Sequence, residues 1–262
     1  MKVAILISGH LRNLHEIIDN LYCNLLDPIK SEKNYYLNIY IHTWDNNFTC
    51  DKTFNHDNNY ENIKIDEEYL TNLFKSKNII LKKIIIENQE NIKNKINLND
   101  YLKNNTKEKS IHNNFDNDYF QDLTKKLFFQ FYGHYKVLEM CDIDCDFIIK
   151  TRPDMIYEKF DIKLFEQNLF FPNSHQKKGC NINQLFFGGK TEYMISILKY
   201  FENCIYNKIN FELINKYHAT DINFNQIFRY YIINVLNYKQ ILFFTDYNPK
   251  IYRNKNKIVK VK

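Results

Sequence analysis

The chain has 262 residues, of which 44% are hydrophobic and 16% aromatic, and 36 Lys and Arg face 31 Asp and Glu for a formal net charge of +5. A chain of this length holds one large domain or two small ones and buries roughly three quarters of its unfolded surface, so this composition excludes a disordered protein. The surplus positive charge is spread along the sequence; a dedicated nucleic-acid surface would gather it into a stripe, whereas anionic small molecules are compatible with it.

Residues 2–8 (KVAILIS) form a short apolar run that ends at Gly9, the pattern of a strand buried on both faces of a parallel sheet. Leu14, Ile17, Ile18, Leu21 and Leu25 then recur at helical spacing, and Pro28 is expected to close that helix. A second strand is predicted over 36–42 (YLNIYIH), stopping in a polar turn His42-Thr43-Trp44-Asp45, and a third over 79–86 (IILKKIII). The Asn-rich stretches 46–64 and 88–117 read as long loops. Residues 119–140 are predicted as a long amphipathic helix that leads into a strand over 146–151, followed by Arg152-Pro153-Asp154. The last third reads as Leu169-Phe170-Phe171-Pro172, a strand 184–187 ending in Gly188-Gly189, helices near 192–202 and 221–237, a strand 241–244 and a basic solvated tail. Strands alternate with helices throughout. The expected fold class is therefore α/β, a Rossmann-like arrangement with a mostly parallel central sheet flanked by helices and ligand chemistry at the carboxyl ends of the strands.

No apolar run approaches the roughly 20 residues needed to cross a bilayer, and the N-terminus lacks the apolar core and small-residue cleavage site of a signal peptide. The six cysteines are scattered, and Cys141-x-x-x-Cys145 has no second pair at metal-binding spacing, which fits reduced thiols and a cytoplasmic location.

Four patches carry possible chemistry. In Ser8-Gly9-His10-Leu11-Arg12, the glycine allows close backbone approach, the following helix offers free N–H groups, and Arg12 can pair with a phosphate; the alternative is a tight turn with a solvated arginine. The patch is neither GxGxxG nor a P-loop. In His42-Thr43-Trp44-Asp45, the only Trp beside a carboxylate suits a nucleobase or sugar ring, or else Trp44 plugs the core and Asp45 caps a turn. The third patch, Lys150-Thr151-Arg152-Pro153-Asp154, closes an apolar strand with an acid and a guanidinium, which form either an anion- or metal-binding pair or a surface ion pair. The fourth spends Gly188 and Gly189, two of only five glycines, on a sharp turn or a close approach to substrate. His218 and Asp221 near a helix start supply a base or a late metal ligand, or simply a cap. No GxSxG, HExxH or kinase set is present.

The order SGHLR, IHTWD, a helix near Gln130 and Tyr132, TRPD and FFGG resembles the small glycosyltransferase-like proteins of the GT-A fold found in polysaccharide loci and large DNA viruses. The resemblance implies a single GT-A-like domain over 1–262, with a nucleotide-binding part over about 1–155 and an acceptor-side part over about 156–262. It implies a nucleotide-diphospho-sugar donor contacted by Ser8, Gly9, Arg12, His42, Trp44, Asp45 and Gly188, and a glycan or glycolipid acceptor. It places Asp154 at the family's metal-binding acid for Mn²⁺ or Mg²⁺, Arg152 on the diphosphate, and Asp221 as acceptor base. Two departures stand out: Arg152 replaces the first acid of Asp-x-Asp, and Asn183 stands where an Asp is expected. A catalytically inactive binding relative and a phospho- or sulfo-transferase are the competing expectations.

Overall fold

The computed structural model describes residues 1–12, 14–45, 65–95, 117–172, 184–206, 228–247, 249–254 and 257–259. In chain order its main elements are β1 (Lys2–Ser8), α1 (Leu14–Leu21), β2 (Tyr36–Trp44), α2 (Glu67–Lys75), β3 (Leu81–Glu87), α3 (Gln89–Lys95), α4 (Asn117–Met140), β4 (Phe147–Thr151), β5 (Met155–Ile156), β6 (Leu169–Pro172), β7 (Phe187–Lys190), α5 (Thr191–Leu198), β8 (Leu242–Thr245), β9 (Lys250–Asn254) and β10 (Lys257–Val259).

Seven strands form one sheet in the order β3-β2-β1-β4-β7-β6-β8, and β5, β9 and β10 form a small second sheet. β1 pairs in parallel with β2 on one side and β4 on the other, and β3 continues the parallel run beyond β2. β7 runs antiparallel to both β4 and β6, while β8 is parallel to β6. The fold is thus an α/β Rossmann-like domain with a mostly parallel central sheet flanked by helices. At the edge strand β3, Lys82 and Lys83 are exposed, a placement that discourages further strand addition.

Side chains alternate across each strand, so β1 feeds two cores. Val3, Ile5 and Ile7 meet Leu14, Ile17, Ile18 and Leu21 of α1 and Leu70 and Phe74 of α2 on one face. Ala4 and Leu6 meet α4, through Phe128, Phe131 and Val137, and α5, through Met194 and Ile197, on the other. Each Val, Leu or Ile among them contributes about 1.5–3 kcal/mol when fully buried, and between exposed Lys2 and Ser8 every residue of β1 is apolar and buried.

The structure corrects several sequence expectations. Pro28 does not close the first helix: a π-turn over Tyr22–Leu26 follows α1, and Pro28 lies in the first turn of a further helical segment, Asp27–Lys30. A proline there lacks an N–H that has no intrahelical partner anyway. β2 runs two residues further than expected, so His42, Thr43 and Trp44 are strand residues paired through β3. Residues 89–95 of an expected loop are helical, and the glycine pair lies inside β7 instead of ending it. The basic C-terminal segment is not a free tail, because β9 and β10 pair antiparallel and β9 also pairs with β5.

Candidate functional site

From β1 the chain steps to β2 on one side, and β4 later joins on the other, so the strand order reverses between β1 and β4. In open α/β sheets a crevice forms outside the carboxyl ends of the strands at such a point. The two loops that border it here are 9–12 after β1 and 152–154 after β4. Gly9 adopts φ +133°, a conformation that L side chains rarely reach, and this lets the first loop lie against Pro153 of the second. Arg12 is itself left-handed, at φ +42°.

That turn brings Arg12 onto Asp154. Arg12 Nη1 donates to Asp154 Oδ2 at 2.5 Å, while Arg152 makes a fork, Nε to Oδ1 and Nη2 to Oδ2, both at 2.7 Å. The Asp154 side chain is fully buried, and the arginine side chains retain 12% and 15% exposure. Burial works against the Arg152 charge and the Asp154 carboxylate more than restores it. The backbone behind this fork is fixed: the Tyr157 hydroxyl lies 2.6 Å from Thr151 Oγ1 and donates to the Arg152 carbonyl at 3.2 Å. Tyr157 is in turn held by Asn20, which bonds both its N–H and its carbonyl, and by Asn24.

One layer deeper, on the α4 side of the sheet, lies Lys150. It is the one charged residue of β4, paired with Leu6 of β1 and Phe187 of β7, and it is wholly buried. Among the described residues its Nζ has no hydrogen-bond partner, and neither has Nε2 of buried His134 on α4, whose ring lies 6.2 Å from that of Phe187. Burial pushes the Lys150 ammonium well below its ordinary range; Arg152 adds in the same direction and Asp154 opposes. His134 is pushed well down by burial, with Lys150 and Arg152 adding. Sequence reasoning assigned neither residue a role, although a lysine inside the run FIIKT, where every other residue is apolar or a small hydroxyl, was the available signal.

The neighbouring strand ends carry a different arrangement. His42 Nε2 and Glu87 Oε2 are 2.8 Å apart, and Tyr132 donates to Glu87 Oε1 at 3.2 Å. Burial lowers the His42 pKa and Glu87 partly opposes; burial acts to raise the Glu87 pKa, but His42 and Tyr132 bring it below its ordinary value. Trp44 is 2% exposed and packs against His42, Phe129 and Tyr132, so it takes the core alternative of its two readings. Asp45 stays exposed, with one oxygen accepting from Asn88. The two strand ends are joined, since Gly9 N–H donates to the His42 carbonyl and Thr43 Oγ1 donates to the Gly9 carbonyl.

Gly9, Arg12, Arg152 and Asp154 are therefore brought together where the strand order reverses, whereas the Ser8 side chain, 4% exposed, faces Gly133 of α4 beside His42, with Trp44 and Asp45 at the same neighbouring strand end. Gly188 is not among them. It pairs with Ile149 and Phe170 inside the sheet, and a Cβ there would lie 2.7 Å from the Phe170 ring and 3.0 Å from the Ile148 carbonyl oxygen, so packing alone demands glycine. Asp221, His218 and Asn183 lie outside the described residues. Cys141 and Cys145 are free and buried.

The residues around Asp154 do not fit a divalent metal ion. Both carboxylate oxygens already hold guanidinium N–H groups, and a cation there would stand against two fixed positive charges. Among the described residues no group of three His, Cys, Asp or Glu is placed to hold a metal. No helix among them is long and apolar enough to cross a membrane.

No family model matches the sequence, and no curated protein matches it. Among solved structures, the chain is similar to the glycosyltransferase GlyE of Streptococcus pneumoniae TIGR4, with 14% identity and a TM-score of 0.43 over 94% of this chain and 45% of that one. It is similar to the galactosyltransferase LgtC in complex with donor and acceptor sugar analogues, with 10% identity and a TM-score of 0.43 over 94% and 73% of the two chains. Mouse xyloside xylosyltransferase 1 gives 10% identity and a TM-score of 0.42 over 93% and 84%. This chain spans less than half the length of the pneumococcal chain.

Proposed function

We propose that this protein is a glycosyltransferase that binds a nucleotide-diphospho-sugar at the crevice over β1 and β4 and moves the sugar to a glycan or glycolipid acceptor. The observation that carries the reading is the convergence of Arg12 and Arg152, from opposite sides of the strand-order reversal, on one buried carboxylate. A guanidinium has five N–H donors, and Asp154 takes only part of each set while holding both planes in place. The remaining donors suit phosphoryl oxygens, whose negative charge grows as the sugar leaves. In this reading Ser8 and Gly9 contact the phosphates or ribose through the loop, Asp45 the base or ribose, and Asp221 takes the proton of the acceptor hydroxyl. Asp154 acts as a positioning residue for the two arginines.

The test is release of free nucleotide from a panel of UDP, GDP, dTDP and CMP sugars, with and without Mn²⁺, by the wild type and by Arg12→Gln. One donor turned over by the wild type and lost in Arg12→Gln is the expected result; a panel neither bound nor cleaved overturns the reading. Binding without cleavage would move the assignment to a non-catalytic binding relative, which the replacement of an acid by Arg152 favours.

A further inference from the structure

The crevice residues leave Lys150 and His134 without a task. Lys150 Nζ is fully buried beside Leu6 and Phe187 and has no hydrogen-bond partner among the described residues, and His134 Nε2, whose ring meets that of Phe187, has none among them either. Gln130, one helical turn before His134 on the same face of α4, also has its Nε2 unpartnered. An aliphatic residue at 150 would pack at no such cost, because burying a polar group without a partner is among the most destabilising choices available to a core. Lys150 stands on β4 two residues before Arg152, which sets this deeper layer directly behind the loop that carries the fork, and Arg152 disfavours its charged form while Asp154 favours it. Arg12 and Arg152 set two guanidiniums against the one carboxylate of Asp154, and Lys150 is a further basic group that can take a proton when an anion is near. That imbalance calls for an anion carrying more than one charge, and the donors lie on two levels, which suits two linked phosphoryl groups.

We propose that Lys150 and His134 form the inner wall of a diphosphate site whose outer wall is Arg12 and Arg152, so that the two guanidiniums, with a proton taken up on Lys150 as the anion binds, neutralise the diphosphate there without a divalent metal. The inference rests on the donor-binding reading above and names the groups that would carry it. It also accounts for the misfit of Asp154 with a metal ion: Arg152 stands where a second metal-binding acid is expected, and its charge serves the end that the metal would serve.

Equilibrium titration of the full chain tests it, with UDP, GDP, dTDP and CDP, and separately with inorganic pyrophosphate, first in EDTA and then in Mg²⁺ or Mn²⁺. The expected result is a nucleoside diphosphate bound in EDTA, with little gain from either metal. Lys150→Met is expected to weaken it by about tenfold or more, the scale of one lost charge-assisted hydrogen bond. The ligand-free Lys150→Met protein is expected to melt no lower than the wild type, since it loses only an unpartnered buried amine. His134→Leu gives a second variant, expected to weaken binding by a smaller factor. Unchanged diphosphate binding in both variants, or binding that appears only with metal, overturns the proposal and leaves the donor-binding reading standing. Lys150-dependent binding of pyrophosphate with no nucleotide bound supports the proposal and overturns that reading. A wild type that binds none of these anions overturns both.

Discussion

Two polar clusters sit at neighbouring strand ends, and they are built on opposite principles. At β1 and β4, Arg12 and Arg152 clasp the fully buried Asp154, with Lys150 close enough to feel their field, and the positive charges outnumber the negative. At β2 and β3, His42 and Tyr132 share one carboxylate, Glu87, whose side chain keeps 22% exposure, and an aromatic shell of Trp44 and Phe129 closes around them. The free His42 nitrogen is roofed by Gly133, where a Cβ would stand only 3.3 Å away. Position at the carboxyl end of a strand is common to both clusters. What separates them is charge balance: in the second cluster one carboxylate is taken up by the protein's own neutral donors, His42 and Tyr132, while the first sets two guanidiniums on one carboxylate and leaves donors that Asp154 does not take. The proposed ligand-binding role rests on the surplus, not on the address.

The contrast is broken most directly at its two acids. Asp154→Ala leaves two partly buried guanidiniums facing each other without a counter-charge, and we expect it to cost about 3–5 kcal/mol of unfolding free energy in urea titration. Glu87→Gln keeps an acceptor near a histidine that burial already favours as neutral, so about 1 kcal/mol is expected. Equal losses at the two acids would show that the clusters are not different in kind.

Acidification gives the next largest effect and again falls unevenly. Burial holds His134 well below its ordinary range, so the unfolded chain binds a proton that the folded chain refuses. The stability due to neutral His134 is therefore complete above the unfolded histidine value of about 6.5 and drains away as pH falls toward the folded value, by roughly 2 kcal/mol at pH 5. His42 contributes in the same direction, but Glu87 opposes the shift there, so its share is smaller. Glu87, whose folded value is lowered, adds a separate loss only below its ordinary carboxylate range. Urea midpoints between pH 7.5 and 5 are expected to fall for the wild type and to flatten in His134→Leu. An unaltered slope in that variant would place the acid sensitivity elsewhere.

The division between the clusters was only partly legible in the sequence. Apolar runs and helical spacing announce β1, β4 and the long helix α4, because local patterning and tertiary structure agree there. The end of β2 is hidden because His42, Thr43 and Trp44 look like a turn, and the ladder partners of Thr43 and Trp44 come from β3, 43 residues further on. The SGHLR and TRPD patches were visible as candidate chemistry, but an ion pair between residues 142 positions apart has no local signature. Gly188 was read as a residue for approaching a ligand when the obstacle to a side chain is the Phe170 ring of the next strand. Lys150 was passed over because a single lysine at the end of an apolar strand ordinarily reaches solvent; here α4 and β7 cover it.

The finest discrimination comes from two tyrosine hydroxyls, one behind each cluster. Tyr157 is buried, and its hydroxyl bonds Thr151 Oγ1 and the carbonyl of Arg152, so Tyr157→Phe orphans two polar groups; about 1–2 kcal/mol of stability should go. If the fork of Arg152 depends on that backbone restraint, the same variant should also weaken diphosphate binding. Tyr132→Phe removes only a 3.2 Å bond to a Glu87 carboxylate that still holds His42 and reaches water, and about 0.5 kcal/mol is expected with anion binding unchanged. Denaturant titration and pyrophosphate binding on the two variants read both quantities at once. A Tyr132→Phe protein that loses anion binding as strongly as Tyr157→Phe would tie the His42 cluster into the site, and the boundary drawn between the two regions would have to move from β1 to β3.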